Sequence, residues 1–257
     1  MNNGYEYYYL FGLDIPLDRY KLGTIKQPKI KDYLSKDISI ESFFYPFVMN
    51  DIIVNQSQEK DTVLKLKESM GDLTFLLMNC IQGNRLDILQ SIKESLQFLY
   101  GTNNIVINGD STINIGNVKI DNSNFNILCS IVLEMLKIDK SKMNFKKAKK
   151  KEMSEIELEF ERRRKEYEKR VGKKTKDKGI TTLDMANTII HSSNFKYEDT
   201  LNMTVYQLKN SFEAIRQKDL YDTTILYSAS PKFEFKDKQE HWIEKIKVDK
   251  STLNQND

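Results

Sequence analysis

The sequence has little of what builds a chemical site. Two histidines serve 257 residues: His191 ends an apolar helical pattern, and His241 stands beside Trp242. The two cysteines, Cys80 in FLLMNCI and Cys129 in FNILCSIVLEML, are too few and too scattered for a disulfide framework or a zinc site. Each reads as a small buried hydrophobe. No GxGxxG or GxxxxGK[ST] occurs, so no backbone cradle for phosphate is signalled. No serine or cysteine stands in a nucleophile-elbow context. Asp110, Asp121 and Glu134 flank one segment and can be drawn as a carboxylate cluster. The simpler reading makes Asp110 and Asp121 turn and cap residues. Together these scarcities argue against an enzyme and call for no cofactor and no metal.

Long hydrophobic runs are missing too. No stretch of about 18 apolar residues is present, and MNNGYEYYYLF lacks the basic and apolar regions of a signal peptide. The chain is therefore expected to be intracellular, with no membrane partner and no use for the Asn202-Met203-Thr204 sequon. Apolar residues make up 39% of the chain, below the usual range, and charged residues 30%, above it. Only ten glycines and four prolines punctuate it. The bias toward Lys, Asn and Ile is what AT-rich coding produces, so part of the lysine excess is compositional. A pI near 8.5 does not by itself imply nucleic acid.

What is present is mostly helical periodicity. Tyr5–Phe11 and Tyr20–Lys26 read as two short strands around Gly12 and Pro16. Pro28 opens a short helix, PKIKDYLS. Ser39 caps IESFFYPFVM, expected to break at Pro46; its cluster Phe43, Phe44, Tyr45 and Phe47 is core or interface. Residues 60–100 read as two antiparallel helices turning at Gly83-Asn84, the second stopped by Gly101. NNIVINGDSTINIGNVKID then gives three very short strands with turns at Gly109-Asp110 and Gly116-Asn117. Ser123 is a plausible cap for SNFNILCSIVLEMLK, a helix buried nearly all round. TTLDMANTIIH begins at a Thr/Asp cap, with Leu183, Ala186, Ile189 and Ile190 inward. Thr204 and Gln207 form a capping-box signature for a longer helix striped by Val205, Leu208, Phe212, Ile215, Tyr221 and Ile225. HWIEKIK is one more short amphipathic piece. The expected fold is α+β and predominantly α-helical, with short N-terminal strands, a small central β-meander and one long charged helix. The expected domains are 1–140, a charged helix or linker at 141–179, and a helical region at 180–257.

The charged helix is KKAKKKEMSEIELEFERRRKEYEKRVGKKTKDK, residues 146–178. It carries fifteen Lys and Arg against eight Asp and Glu, a net of +7 in a chain of +3. Met153, Ile156, Phe160, Tyr167 and Val171 fall at helical spacing and make a thin apolar seam. Glu159 lies three and four residues before Arg162 and Arg163, a supporting arrangement on a helix. Three uses fit: a solvated helix packed on its own domain, a helix that lies on a protein partner, or a nucleic-acid contact through the lysines. Seven central glutamates oppose the last, because they repel phosphates.

Three segments taken in order carry a resemblance: YLFGLDIPLDRYKLGTIKQPKIKDYLSKDISIESFFYPFVMN, INIGNVKIDNSNFNILCSIVLEMLKIDK, and LNMTVYQLKNSFEAI with HWIEKI. They resemble a family encoded by phages and prophages of low-GC Gram-positive bacteria, which looks like tail assembly chaperones. The resemblance implies a non-catalytic tail morphogenesis protein of the host cytoplasm, covering the apolar face of a tape measure protein or another tail protein until assembly. The partner-binding residues are then Met153, Ile156, Phe160, Tyr167 and Val171, with Phe43, Phe44 and Phe47. A structural virion component, tail or connector, is the alternative, with a nucleic-acid binder behind it. Homo-oligomerisation is left open.

Overall fold

The computed structural model describes residues 4–140, 180–229 and 241–245. The first of these ranges forms a body built on one apolar cluster. Its first element corrects the sequence reading: Glu6–Phe11 is a helix, α1, and not a strand. Tyr5 and Tyr9, four residues apart, are both buried, while Tyr7 and Phe11 pair on the opposite face with ring centroids 4.5 Å apart. An i,i+4 arrangement of two aromatic pairs is helical periodicity, and Gly12 closes it in the left-handed conformation at φ 65°. The strands follow as β1 (Ile15–Pro16) and β2 (Thr24–Ile25), antiparallel with Ile15 opposite Ile25.

Helix α2 (Ile30–Ser35) lies where expected, one residue after the Lys29 cap position, so Pro28 precedes the helix and is not its first residue. Helix α3 (Ile40–Gln56) starts at Ser39, whose hydroxyl accepts from the Ser42 N–H at 3.0 Å. It does not break at Pro46. A proline inside a helix costs about 3 kcal/mol. Phe43, Phe47, Val48, Met49 and Ile52 are buried along this helix, at roughly 1.5–3 kcal/mol for each large side chain. Burial outweighs the lost backbone bond.

Residues 60–100 form three helices where two were expected: α4 (Lys60–Met70), α5 (Asp72–Gln82) and α6 (Leu86–Tyr100). The extra break is at Gly71, with φ 82°. A Cβ there would collide with the Asn122 amide. Asn122 Oδ1 accepts from the Leu73 and Thr74 N–H groups at 2.9 and 3.1 Å, and its Nδ2 donates to the Met70 carbonyl at 3.1 Å. One side chain thus closes the end of α4 and the start of α5.

Strands β3 (Ile105–Ile107), β4 (Ile113–Ile115) and β5 (Val118–Ile120) make the expected antiparallel meander. Ile105, Ile113, Ile115 and Ile120 are buried in the body cluster. Helix α7 (Phe125–Met135) is buried nearly all round, as its pattern required. Its cap position is Asn124; Ser123 instead donates to Asp121 Oδ1 from both its N–H and its hydroxyl.

The C-terminal helices are α8 (Thr182–Ser192), α9 (Tyr197–Leu201), α10 (Val205–Ser228) and α11 (Trp242–Lys245). Both expected caps are present: Thr181 with Asp184, and Thr204 with Gln207. Helix α8 packs along α10, and α11 also rests on α10. The fold is α+β and predominantly helical, with a two-stranded and a three-stranded antiparallel sheet. The expected long charged helix at 146–178 lies outside the described residues.

A candidate partner-binding surface on the C-terminal helices

Apolar residues are distributed unequally between the two regions. Of the buried hydrophobic side chains among the described residues, thirty-four belong to the body and four, Ile189, Val205, Tyr206 and Leu208, to the C-terminal helices. Exposed large hydrophobics divide the other way for the size of the regions, with nine between Ile180 and Ile243. Leu226 is 75% exposed, Leu183 66% and Leu220 55%. These three leucines, with Ile180, Ile225 and Ile243, are the aliphatic side chains that the C-terminal region turns to solvent.

Sequence periodicity placed Leu183 and Ile225 inward; the structure turns both outward. Leu220, Ile225 and Leu226 sit five and one residues apart, which spreads them around α10 and off a single stripe. That spread is the signal that periodicity reading passes over. Charge keeps the same helix hydrated. Arg216 pairs with Glu213 at 3.3 Å and Lys218 with Asp222 at 2.7 Å.

These helices are fastened to the body at one place. The Lys31 ammonium donates to Asn202 Oδ1 at 2.8 Å, the Ile30 N–H donates to the Met203 carbonyl at 2.9 Å, and Lys29 bridges Thr204. Gln207 Oε1 accepts from the Thr204 N–H at 2.9 Å to complete the capping box, while its Nε2 donates to the Leu10 carbonyl at 3.1 Å. The same side chain therefore starts α10 and ties it to α1. Lys209 donates to the Leu136 carbonyl at 2.8 Å, a cation at the C-terminal end of α7. Lys137, at φ 49°, donates to Asn210 Oδ1 at 2.7 Å and lies 4.9 Å from the Tyr206 ring centroid. Burial holds both lysine ammonium groups below the usual lysine pKa. Tyr9 stacks obliquely on Tyr206 with centroids 5.4 Å apart and donates to Glu134 at 3.2 Å; burial, reinforced by Glu134, pushes its phenol pKa up.

The residues singled out from sequence fare differently. Met153, Ile156, Phe160, Tyr167 and Val171 lie outside the described residues. Phe43 and Phe47 are in the core at 1% and 4% exposure, packed with Phe98 and Tyr33, and Phe44 is half-buried. What this cluster turns to solvent is Tyr45. Asp110 accepts from Thr112 Oγ1 at 2.6 Å and Asp121 from Ser123 Oγ at 2.5 Å, which lowers the pKa of both carboxyls. Each is a turn residue in use, as the simpler reading had it. Burial raises the thiol pKa of Cys80 to about 11 and of Cys129 to about 12, so both stay protonated at neutral pH. A cavity of about 210 Å³ between the α2–α3 loop and α6 is lined by Asp37, Ser42, Ser91, Glu94 and Ser95 among others; the Ser95 hydroxyl is already spent on the Phe43 carbonyl at 2.8 Å.

Residues 173–247 match the family model described as the YomV second domain. That family is associated with phages and prophages. The match is well short of half the chain, and it contains every exposed leucine of α8 and α10 and every C-terminal residue of the joint. No curated protein matches the chain, and no solved structure does. Among the described residues, no helix is long and apolar enough to cross a membrane.

Proposed function

We propose that this chain is a non-catalytic phage tail morphogenesis protein, a chaperone that holds the tape measure protein, or another tail protein, through the apolar surface of α8 and α10. One observation carries the reading: α8 and α10 pack on each other yet leave Leu183, Leu220, Ile225 and Leu226 in solvent. A tape measure protein is long, helical and apolar on one face, and before assembly that face invites aggregation. Its cover has to be apolar, adaptable and replaceable. Leu183, Leu220, Ile225 and Leu226 offer about 1–2 kcal/mol each on burial, enough to hold a helix and weak enough, singly, to be displaced. The YomV second-domain match supports a phage setting, and the resemblance of three segments to tail assembly chaperones supports the finer reading.

Co-expression tests it directly. The chain is expected to move a tape measure protein from the insoluble to the soluble fraction, and the Leu183→Glu, Leu226→Lys double variant to lose that effect. An equal soluble yield with and without the chain refutes the proposal.

A further inference from the structure

The joint between α10 and the body carries an inference of its own. The body and the C-terminal helices are joined by hydrogen bonds that use Asn202, Met203, Gln207, Lys209 and Asn210 on the C-terminal side. Only Val205 and Tyr206 of those helices enter the body's apolar cluster; Ile189 and Leu208 are buried outside it. On the body side the Tyr9 ring stacks on Tyr206, and polar contacts complete the joint: Lys31 on Asn202, Gln207 on Leu10, Lys209 on the α7 terminus, Lys137 on Asn210. Glu6 of α1, Glu41 of α3 and Glu213 of α10 add their fields to the two lysines.

We infer that this joint is a latch: the first turns of α10 release from α1 and α7 as a unit while the body stays folded, and release adds Val205 and Tyr206 to the apolar surface of α8 and α10. That the latch serves capture rests on the chaperone reading; that it opens does not. The energetics favour separate opening. A hydrogen bond within a protein contributes only about 1 kcal/mol net, because water replaces it when it breaks. The half-buried Lys209 ammonium recovers its hydration on release, and the exposed Lys137 loses little when its bond to Asn210 breaks. Against this stand Val205, Tyr206 and the Tyr9 ring that stacks on it, three buried side chains at the joint. The body, by contrast, cannot open without exposing a cluster that includes Leu76, Leu96, Leu128 and Val132. Inter-region interfaces of this polar kind move by default, and functional elements are drawn from the least stable parts of a fold. Capture then has two stages, a leucine surface that is open from the start and a joint that a partner helix holds apart once it has inserted.

Hydrogen exchange on the full chain, alone in solution, reads the latch without any partner. Amides of residues 205–212 are expected to exchange roughly 100-fold faster than those of 92–99 and 128–135. Lys137→Met keeps aliphatic packing over Tyr206 and removes the bond to Asn210; it is expected to speed exchange at 205–212 about fivefold, the equivalent of one lost hydrogen bond, and leave 92–99 unchanged. Lys209→Met should act in the same direction. Equal protection of 205–212 and 92–99 in the unmodified chain overturns the inference. So does a Lys137→Met variant that leaves 205–212 unchanged or speeds both regions together. A chain whose joint opens but which does not solubilise a tape measure protein refutes the capture reading alone. One that captures its partner with 205–212 as protected as the core refutes the latch alone.

Discussion

Replacing Leu183 and Leu226 separates a binding surface from a packed one. Leu183 lies in the first turn of α8 and Leu226 in the last turn of α10. Leu183→Glu and Leu226→Lys therefore place each new charge where the helix dipole favours it, so helix stability is not the quantity being perturbed. Full burial of a leucine is worth roughly 1.5–3 kcal/mol, and these two are 66% and 75% exposed. Between two thirds and three quarters of that energy is still available to a partner. The pair then contributes about 2–4 kcal/mol to a complex that covers both, a factor of roughly 30 to 1,000 in affinity at 1.4 kcal/mol per decade. Thermal unfolding should move little, because exposed substitutions stay within about 0.5 kcal/mol. Ile189→Asp provides the contrast: Ile189 is fully buried, and a charge there should unpack α8 from α10. The assay is titration of a tape measure fragment followed by calorimetry, with circular dichroism for stability. Unchanged affinity in the double variant refutes the surface. A loss of stability comparable to that of Ile189→Asp shows that the leucines are packed in the native chain.

Three further outcomes are expected. Asn122→Ala removes two accepted N–H bonds and two donated ones, to the Met70 carbonyl and to Thr74 Oγ1, costing about 2–3 kcal/mol on cap energetics and lowering the melting temperature by about 4–12 °C; a shift under about 2 °C refutes the two-helix clamp. Gly71→Ala, at φ 82° and against that same amide, should be destabilising by calorimetry on its own but markedly less so in the Asn122→Ala background. Cys80 and Cys129 should resist alkylation at pH 8, since their thiols titrate near 11 and 12. Folded-state pKa values above the ordinary 9.0 mean that stability is fully kept below about pH 9 and declines as pH rises toward 12. Rapid labelling of the folded chain at pH 8 would contradict this.

Signals confined to a few residues were legible in the sequence. Ser39, Thr181 and Thr204 act as read, because a cap is settled by a side chain and an amide three residues on. The meander was legible because its turns and its isoleucine alternation are equally local. Gly71 was not, because the amide that requires the break comes from Asn122, about fifty residues later, and nothing nearby announces it. Pro46 misled for a related reason: its local cost is outweighed by burial against α5, α6 and α7. The strand reading of 5–11 failed where an unbroken aromatic run fits either period and Gly12 decides for the helix. The candidate surface was hidden by an assumption. An apolar residue at helical spacing was taken as inward, which holds for Ile189 and Leu208 and fails for Leu183 and Ile225.

That failure bears on function, because α8 and α10 pack along each other and still leave large apolar side chains in solvent. Outside the body's cluster, α8 and α10 fully bury Ile189 and Leu208 and half-bury Ile190, Phe212 and Ile215, at roughly 1.5–3 kcal/mol for each large side chain fully buried. Ordering several turns of backbone costs about 1–2 kcal/mol per residue before any contact repays it. Propensity, the two capping boxes and the Glu213–Arg216 and Lys218–Asp222 pairs offset part of this at a few tenths to about 1 kcal/mol each. The joint at 202–210 has to contribute as well. A region so placed is stable when docked and has leucines in excess when docked, and both conditions are improved by a further apolar helix laid against it. Under the proposed chaperone role this surface is a capture element, and under the alternative it is the contact of a permanently packed subunit. Mass spectrometry of purified particles separates these: a chaperone should be absent or trace, whereas a stoichiometric amount would make this surface a subunit contact of the mature tail and end the chaperone reading.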